Sequence, residues 1–180
     1  MAQPEFKSGL TIMRAQPLHI GHQKLIDRML RECGKVTVIL GSVQEQGTDR
    51  NPYAYILRKK MIQKTYADHP FVSKMTILGM FDINNPTQWA AFVLDFLQES
   101  FPEMPIPDVY YAGSEYDAQW FRGAIANIRI ENRVDYSFPY VSGSMVRDMI
   151  KIGDKRWHDF VPAAIHEIIE NELKNQKGVI

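Results

Sequence analysis

The sequence predicts an α/β fold: a mostly parallel sheet with helices on both faces, ending in a small helical cap. Three observations carry that prediction. Short apolar runs of strand-like composition alternate with longer stretches of helical periodicity along most of the chain. The pairs Asn51-Pro52 and Asn85-Pro86 each place a capping residue before a proline, the pattern of a helix start. The end of the chain breaks the alternation and reads as helical segments alone.

Taken in order, Leu10 to Met13 is the first strand and Val36 to Leu40 the second. Between them Leu25, Ile26, Met29, Leu30 and Cys33 recur at helical spacing, with Gly34 as the stop signal. Asn51-Pro52 opens a helix toward Ala67, and Val72 to Leu78 alternates as a third strand. Asn85-Pro86 opens a helix that carries Trp89, Phe92, Val93, Phe96 and Leu97. Asp108 to Ala112 is a fourth strand that ends at Gly113, followed by a short helix from Ala118 to Ala126 and a weaker strand from Ile128 to Ile130. Ser144 to Ile152 is a short helix. Pro162 to Lys174 is an amphipathic one, with Ile165, Ile168, Ile169 and Leu173 on one side. The chain reads as one domain over 1–180, with its core over about 8–140 and a C-terminal loop and helices over 141–176.

A chain of 180 residues with 45% hydrophobic and 11% aromatic content is long enough, and apolar enough, to build a core. Twenty-one Lys+Arg against 21 Asp+Glu give zero net charge, which argues against a nucleic-acid coat or a membrane-surface binder. A single cysteine, Cys33, excludes an internal disulfide framework and a multi-cysteine zinc site. No run approaches the roughly 18 apolar residues of a membrane span, and the opening MAQPEFKSG has no apolar core of a secretory signal. The expectation is a soluble, cytoplasmic domain whose phosphate-handling residues are local.

In open α/β sheets, ligands bind beyond the carboxyl ends of the strands. The loops after Met13, Leu40, Leu78 and Ala112 therefore qualify. The first reads Arg14-Ala15-Gln16-Pro17-Leu18-His19-Ile20-Gly21-His22. It is neither a G-x-G-x-x-G fingerprint nor a P-loop. Gly21 removes a Cβ where a phosphate could approach the backbone, and the helix that begins there points its N–H groups at the same place. His19 and His22, three apart, share a face of the first turn. Two imidazoles and a guanidinium beside a helix start form an anion site. The competing readings are surface histidines at a helix start, or zinc ligands lacking a completing set.

His19-Ile20-Gly21-His22 resembles the HxGH signature of the nucleotidylyltransferase superfamily. Val141-Ser142-Gly143-Ser144-Met145-Val146-Arg147 resembles that family's second signature, SGS/T-x-x-R, in the expected order. Met13 to His19, Gly41-Ser42-Val43-Gln44, Thr48 to Tyr53, Arg58 with Met61-Ile62, Phe81-Asp82-Ile83 with Trp89, and Asp108 to Gly113 resemble the archaeal-type nicotinamide-nucleotide adenylyltransferases. The resemblance runs from Leu10 to about Ile169. Departures are Met13 for a glycine, Ala15 for a phenylalanine, Gly47 where relatives have histidine, and Ser114-Glu115-Tyr116 where they have Gly-Asn-Pro.

The resemblance implies a Rossmann-like fold and transfer of AMP from ATP to nicotinamide mononucleotide (NMN), giving NAD and pyrophosphate, with assembly into homo-oligomers. It implies that His19, His22, Arg14 and Arg147 are catalytic, stabilising the triphosphate as charge moves onto pyrophosphate. Gln16, Gly21, Gly113, Ser142, Gly143 and Ser144 would contact ATP; Ser42, Gln44, Arg50, Asp82 and Trp89 would contact NMN. Mg²⁺ would bridge substrate phosphates, with no dedicated protein ligands. Without the resemblance, Arg50 reads as a solvated loop residue and Trp89 as a helix core residue, and Arg58 reads as capping or pairing locally. Trp120, Arg122, His69, His158 and His166 read as structural or surface residues. The rival identities are a fragment of an aminoacyl-tRNA synthetase, which would need a K-M-S-K-S-like loop, a nucleotidylyltransferase acting on nicotinic acid mononucleotide, phosphopantetheine or glycerol phosphate, and a non-catalytic nucleotide sensor.

Overall fold

A computed structural model describes residues 3–103, 106–131 and 140–177. Five strands, β1 (Phe6–Met13), β2 (Cys33–Leu40), β3 (Met75–Gly79), β4 (Val109–Ala112) and β5 (Asn127–Ile130), form one sheet in the order β3-β2-β1-β4-β5. Every pair is parallel. The helices are α1 (Ile20–Glu32), α2 (Tyr55–Thr65), α3 (Trp89–Ser100), α4 (Glu115–Ala118), α5 (Gly143–Ile152) and α6 (His166–Lys177). The architecture is thus α/β and Rossmann-like.

Strand alternation assigns the two faces. Val36, Val38 and Leu40 of β2, with Val109 and Tyr111 of β4, join Leu25, Ile26, Met29 and Leu30 of α1 and Met61 and Ile62 of α2. Leu10, Ile39, Tyr110 and Ala112 point the other way, onto Ala90, Val93 and Leu97 of α3 and Phe121. Val146, Trp157, Ile165 and Ile169 of the C-terminal cap complete the first layer. Among the described residues no helix is long and apolar enough to cross a membrane.

Several boundaries differ from expectation, each for a local reason. Gly34 does not stop α1: the helix ends at Glu32 and passes directly into β2, so Cys33 is a strand residue. A Cβ at Gly34 would stand 3.0 Å from the Lys7 carbonyl oxygen on β1. Asn51 does not cap α2, which starts at Tyr55 behind Ala54. The Asn51 amide instead donates to the Glu45 carboxylate, and its N–H donates to Thr48 Oγ1 at 3.0 Å. Val72–Lys74 is a 3₁₀ turn ahead of β3, and Asn85-Pro86 opens one 3₁₀ turn before α3. The helix expected over Ala118 to Ala126 lies earlier: Ser114 Oγ accepts from the Asp117 N–H at 3.2 Å and starts α4, which runs on as the 3₁₀ turn Gln119–Phe121. The cap runs through 3₁₀ segments Lys155–Phe160 and Ala163–Ile165 into α6.

The strand order reverses direction between β1 and β4. From β1 the chain steps outward to β2 and β3, then returns to the other side for β4 and β5. That junction is where an open α/β sheet leaves a crevice at its carboxyl edge.

Candidate active site

A cleft of about 590 Å³ opens at that edge. The loop after β1 supplies Arg14, Gln16, His19 and His22; the loop after β2 supplies Ser42 and Arg50. Asp82 and Trp89 come from beyond β3, and Gly113 follows β4. Ser142, Gly143, Ser144 and Arg147 close it from the start of α5. These thirteen positions, scattered through the chain, meet in one place. Gly21 and Gln44, expected among them, do not line the cleft.

The head of α1 is capped by its own histidines. His19 is the N-cap; its Nδ1 accepts from the His22 N–H, and His22 Nδ1 accepts from the His19 N–H, both at 3.4 Å, the long end of the range. The two rings stack with centroids 3.7 Å apart. Because each Nδ1 is an acceptor in this cap, each neutral ring carries its proton on Nε2. The cap therefore makes both imidazoles hydrogen-bond donors at Nε2. Gly21 serves this arrangement: a Cβ there would sit 3.1 Å from the His19 ring and 3.0 Å from Val141.

Gln16 also has a framing role. Its amide pairs in both directions with the backbone of Tyr53, Nε2 to the carbonyl and Oε1 from the N–H, each at 2.9 Å. Its carbonyl oxygen accepts from Arg147 at 2.8 Å, and Arg147 also donates to Ser144 Oγ at 3.1 Å. Gly143 permits this, since a Cβ there would lie 3.2 Å from the Arg147 guanidinium and 3.3 Å from the Gln16 oxygen. Ser142 Oγ accepts the Met145 N–H at 3.2 Å and fixes the start of α5.

Arg58 holds the floor. It is fully buried and donates to the carbonyls of Arg14 and Gly41 at 2.8 Å and of Ser42 at 3.3 Å. This confirms a local pairing role and ties the ends of β1 and β2 together. At those ends Ala15 (φ 49°) and Ser42 (φ 53°) are left-handed, a conformation that non-glycine residues adopt mainly where surrounding structure demands it. The Ser42 hydroxyl donates to the Asp82 carboxylate, and Gln44 pairs with the Asp82 backbone at 3.4 Å. Gln44 thus supports Asp82 from outside.

The electrostatics are those of an anion site. Burial lowers the Arg14 pKa, and the neighbouring charges of Arg50 and Arg147 lower it further, while Asp82 and Glu45 oppose them. Arg147 is lowered likewise, by burial first. Guanidiniums that repel one another at a cleft wall are poised for a polyanion that would pair with them. Among the described residues no three His, Cys, Asp or Glu side chains converge to hold a metal. The donor set suits a cation carried by a phosphate chain.

Arg122 pairs with Glu115 on the surface, His69 packs near Tyr66 and Phe71, and His158 and His166 pack with Trp157 in the cap. These fit their structural reading. Trp120 packs against the core as well, and it also lines the cleft, with Tyr116. Their positions at i and i+4 just beyond a strand's carboxyl end were the available signal.

A parallel sheet whose switch point holds paired imidazoles, guanidiniums and a helix start defines a nucleotidyltransferase of the Rossmann-like class. More particularly, the chain belongs to the cytidylyltransferase-like family, whose model matches residues 14–149. It is similar to the nicotinamide-nucleotide adenylyltransferase of Haloarcula marismortui, 28% identical over 162 residues, covering 90% of this chain and 80% of that protein. The Thermococcus onnurineus nicotinamide-nucleotide adenylyltransferase is 26% identical over 173 residues, covering 96% and 85%. Among solved structures, it is similar to a bifunctional NMN adenylyltransferase/ADP ribose pyrophosphatase from Francisella tularensis, complexed with AMP and a manganese ion. That likeness has a TM-score of 0.73 at 16% identity over 94% of this chain. The chain covers 49% of that protein, about half its length.

Proposed function

We propose that the chain is a nicotinamide-nucleotide adenylyltransferase, which joins ATP and NMN to give NAD and pyrophosphate. One observation carries the reading most directly: two imidazoles whose Nδ1 atoms are taken up by the helix cap and two guanidiniums, Arg14 and Arg147, line one cleft that Trp89 also walls. The similarity to curated adenylyltransferases of that name supports the choice of substrates.

The 5′-phosphate of NMN is already an anionic nucleophile at neutral pH. It attacks the α-phosphorus of ATP, and the bond from that phosphorus to the bridging oxygen breaks as pyrophosphate leaves. Catalysis is positioning and charge stabilisation, with no general base required. His19 and His22 donate from Nε2 to the triphosphate as charge builds on the leaving group. Arg14 and Arg147 hold the β- and γ-phosphates, with the α5 start, Ser142 to Ser144, as the adjoining wall. Arg50 grips the mononucleotide phosphate and Trp89 faces its pyridine ring, while Asp82, bound by Ser42 and Gln44, lines the same half. A divalent cation such as Mg²⁺, brought by the substrate phosphates rather than by dedicated protein ligands, would supply charge neutralisation when bound.

The test is a substrate screen with Mg²⁺ and ATP, pairing each mononucleotide in turn and following pyrophosphate and dinucleotide. NAD formed from ATP and NMN is the expected outcome. Its absence at millimolar substrates, or turnover restricted to phosphopantetheine or glycerol phosphate, refutes the reading.

A further inference from the structure

Arg58 is a buried cation to which the mechanism above gives no task. It is fully buried on α2, and its Nε has no hydrogen-bond partner among the described residues. Burying a charge and leaving a donor unpaired both cost stability. Burial lowers its pKa, and Asp82, the charge that opposes this most, makes no hydrogen bond to it. The reason for an arginine therefore lies in the bonds its side chain does make, and all of them go to backbone carbonyls. A single nitrogen, Nη1, donates to the carbonyls of Arg14 and Gly41, both at 2.8 Å, and Nη2 donates to that of Ser42 at 3.3 Å.

These bonds stand at the carboxyl edge of the sheet. The β1–β2 register runs as far as Met13 and Leu40, and the Gly41 N–H donates to the Met13 carbonyl at 3.1 Å. Past that point the chain leaves both strands and lines the cleft, with Arg14 the first residue beyond β1. Nη1 bridges the two segments where the ladder stops, in the place of a next rung. Ala15 then turns into the left-handed region at φ 49°, directly after the carbonyl that Arg58 holds. Arg58 is itself seated on a firm element, since Met61 and Ile62 of α2 are fully buried in the core. Core packing thus reaches the backbone of a cleft arginine through one guanidinium. We propose that Arg58 is a positioning residue for Arg14: by bridging the ends of β1 and β2 it fixes where the Arg14 guanidinium meets a polyphosphate. The fork is the agent and the charge is not; a lysine would carry the charge, as one point on a flexible stem. The proposal takes its ligand from the nucleotidyl-transfer reading above.

Calorimetric titration with inorganic triphosphate in Mg²⁺ tests this as a double-mutant cycle on the unaltered protein, Arg58→Met, Arg14→Gln and the two combined, with Arg58→Lys alongside. Circular dichroism first establishes that each variant is folded at the titration temperature. Arg14→Gln and Arg58→Met should each weaken triphosphate about tenfold. The combined variant should bind within about twofold of Arg14→Gln alone, whereas independent effects would multiply to about a hundredfold. Arg58→Lys should lose most of the affinity that Arg58→Met loses. Losses that multiply overturn the proposal, because the effect then does not pass through Arg14. Unchanged affinity in folded Arg58→Met overturns it too, leaving a residue of the fold alone, and full affinity in Arg58→Lys overturns it by making the charge sufficient. If Arg58→Met does not fold, the cycle is run with Arg58→Lys; if neither folds, Arg58 belongs to the fold and the proposal falls. Dinucleotide formation by the unaltered protein reports the transfer reading separately: a coupled cycle without product keeps the positioning role and removes the reaction.

Discussion

His19 has two tasks at the head of α1. Its Nδ1 closes the first helical turn, and its Nε2 carries the proton assigned to the leaving phosphate. The tasks can be separated by substitution. Asparagine is among the best N-caps, so His19→Asn keeps an acceptor for the His22 N–H while removing the Nε2 donor. We expect the thermal midpoint to stay within a few degrees and kcat to fall about 100-fold or more, the usual cost of one donor to a developing oxyanion. Melting curves and initial rates on the same preparation check both; an intact kcat would show that the ring only caps. At this scale much of the site was legible, because the histidine pair, the SGSxxR stretch and Arg14 are local patterns. What each residue touches was less so. Gly21 and Gln16 belong to the site through the His19 ring and the Tyr53 backbone, contacts across space that no spacing along the chain encodes.

Three elements, α1, β2 and β4, meet around one buried side chain of the sheet. The Tyr111 hydroxyl of β4 donates to Glu32 at the end of α1 at 2.6 Å, and lies 3.5 Å from the Cys33 thiol of β2. Arg28 Nε adds a 2.8 Å bond to the same carboxylate. Burial alone would raise the Glu32 pKa, but these donated bonds outweigh it and hold the carboxyl below its ordinary 4.5. The native state then binds fewer protons than the unfolded chain. The stability from this contact is present above about pH 4.5 and is lost as pH falls through the lowered native value. Urea unfolding of Tyr111→Phe should show a deficit of about 1–2 kcal/mol at pH 7 that narrows by pH 3; a deficit equal at both pH values would assign it to packing. The sequence made β1, β2 and β4 visible, since buried parallel strands read as apolar runs. It misplaced the starts of α2 and α4. Asn51 has the identity of a cap, but its amide is held by Glu45, six positions back, whereas Ser114 caps a helix that starts ahead of the expected Ala118. A capping residue type shows that a backbone group can be satisfied locally, and tertiary partners decide whether it is.

Zero net charge describes the whole molecule and not the surface a substrate meets. Arg14, Arg50 and Arg147 face one cleft, and burial together with mutual repulsion depresses the first. Charges concentrated in a concave, partly desolvated site produce a local positive potential whatever the total. Binding of inorganic triphosphate should accordingly weaken steeply between low and high salt, as the Debye length shrinks from about 10 Å at 0.1 M to about 3 Å at 1 M. Arg14→Gln, Arg50→Gln and Arg147→Gln should each flatten that dependence. Lys35→Gln removes the same unit charge from an exposed position near the start of β2, at the other edge of the sheet, and should leave it alone. Affinities measured across a salt series for the four variants decide the matter. If Lys35→Gln flattens the slope as much as the cleft arginines do, recognition follows total charge and the cleft is not focusing it; if only the arginines matter, a neutral protein attracts a polyanion through the arrangement of three guanidiniums.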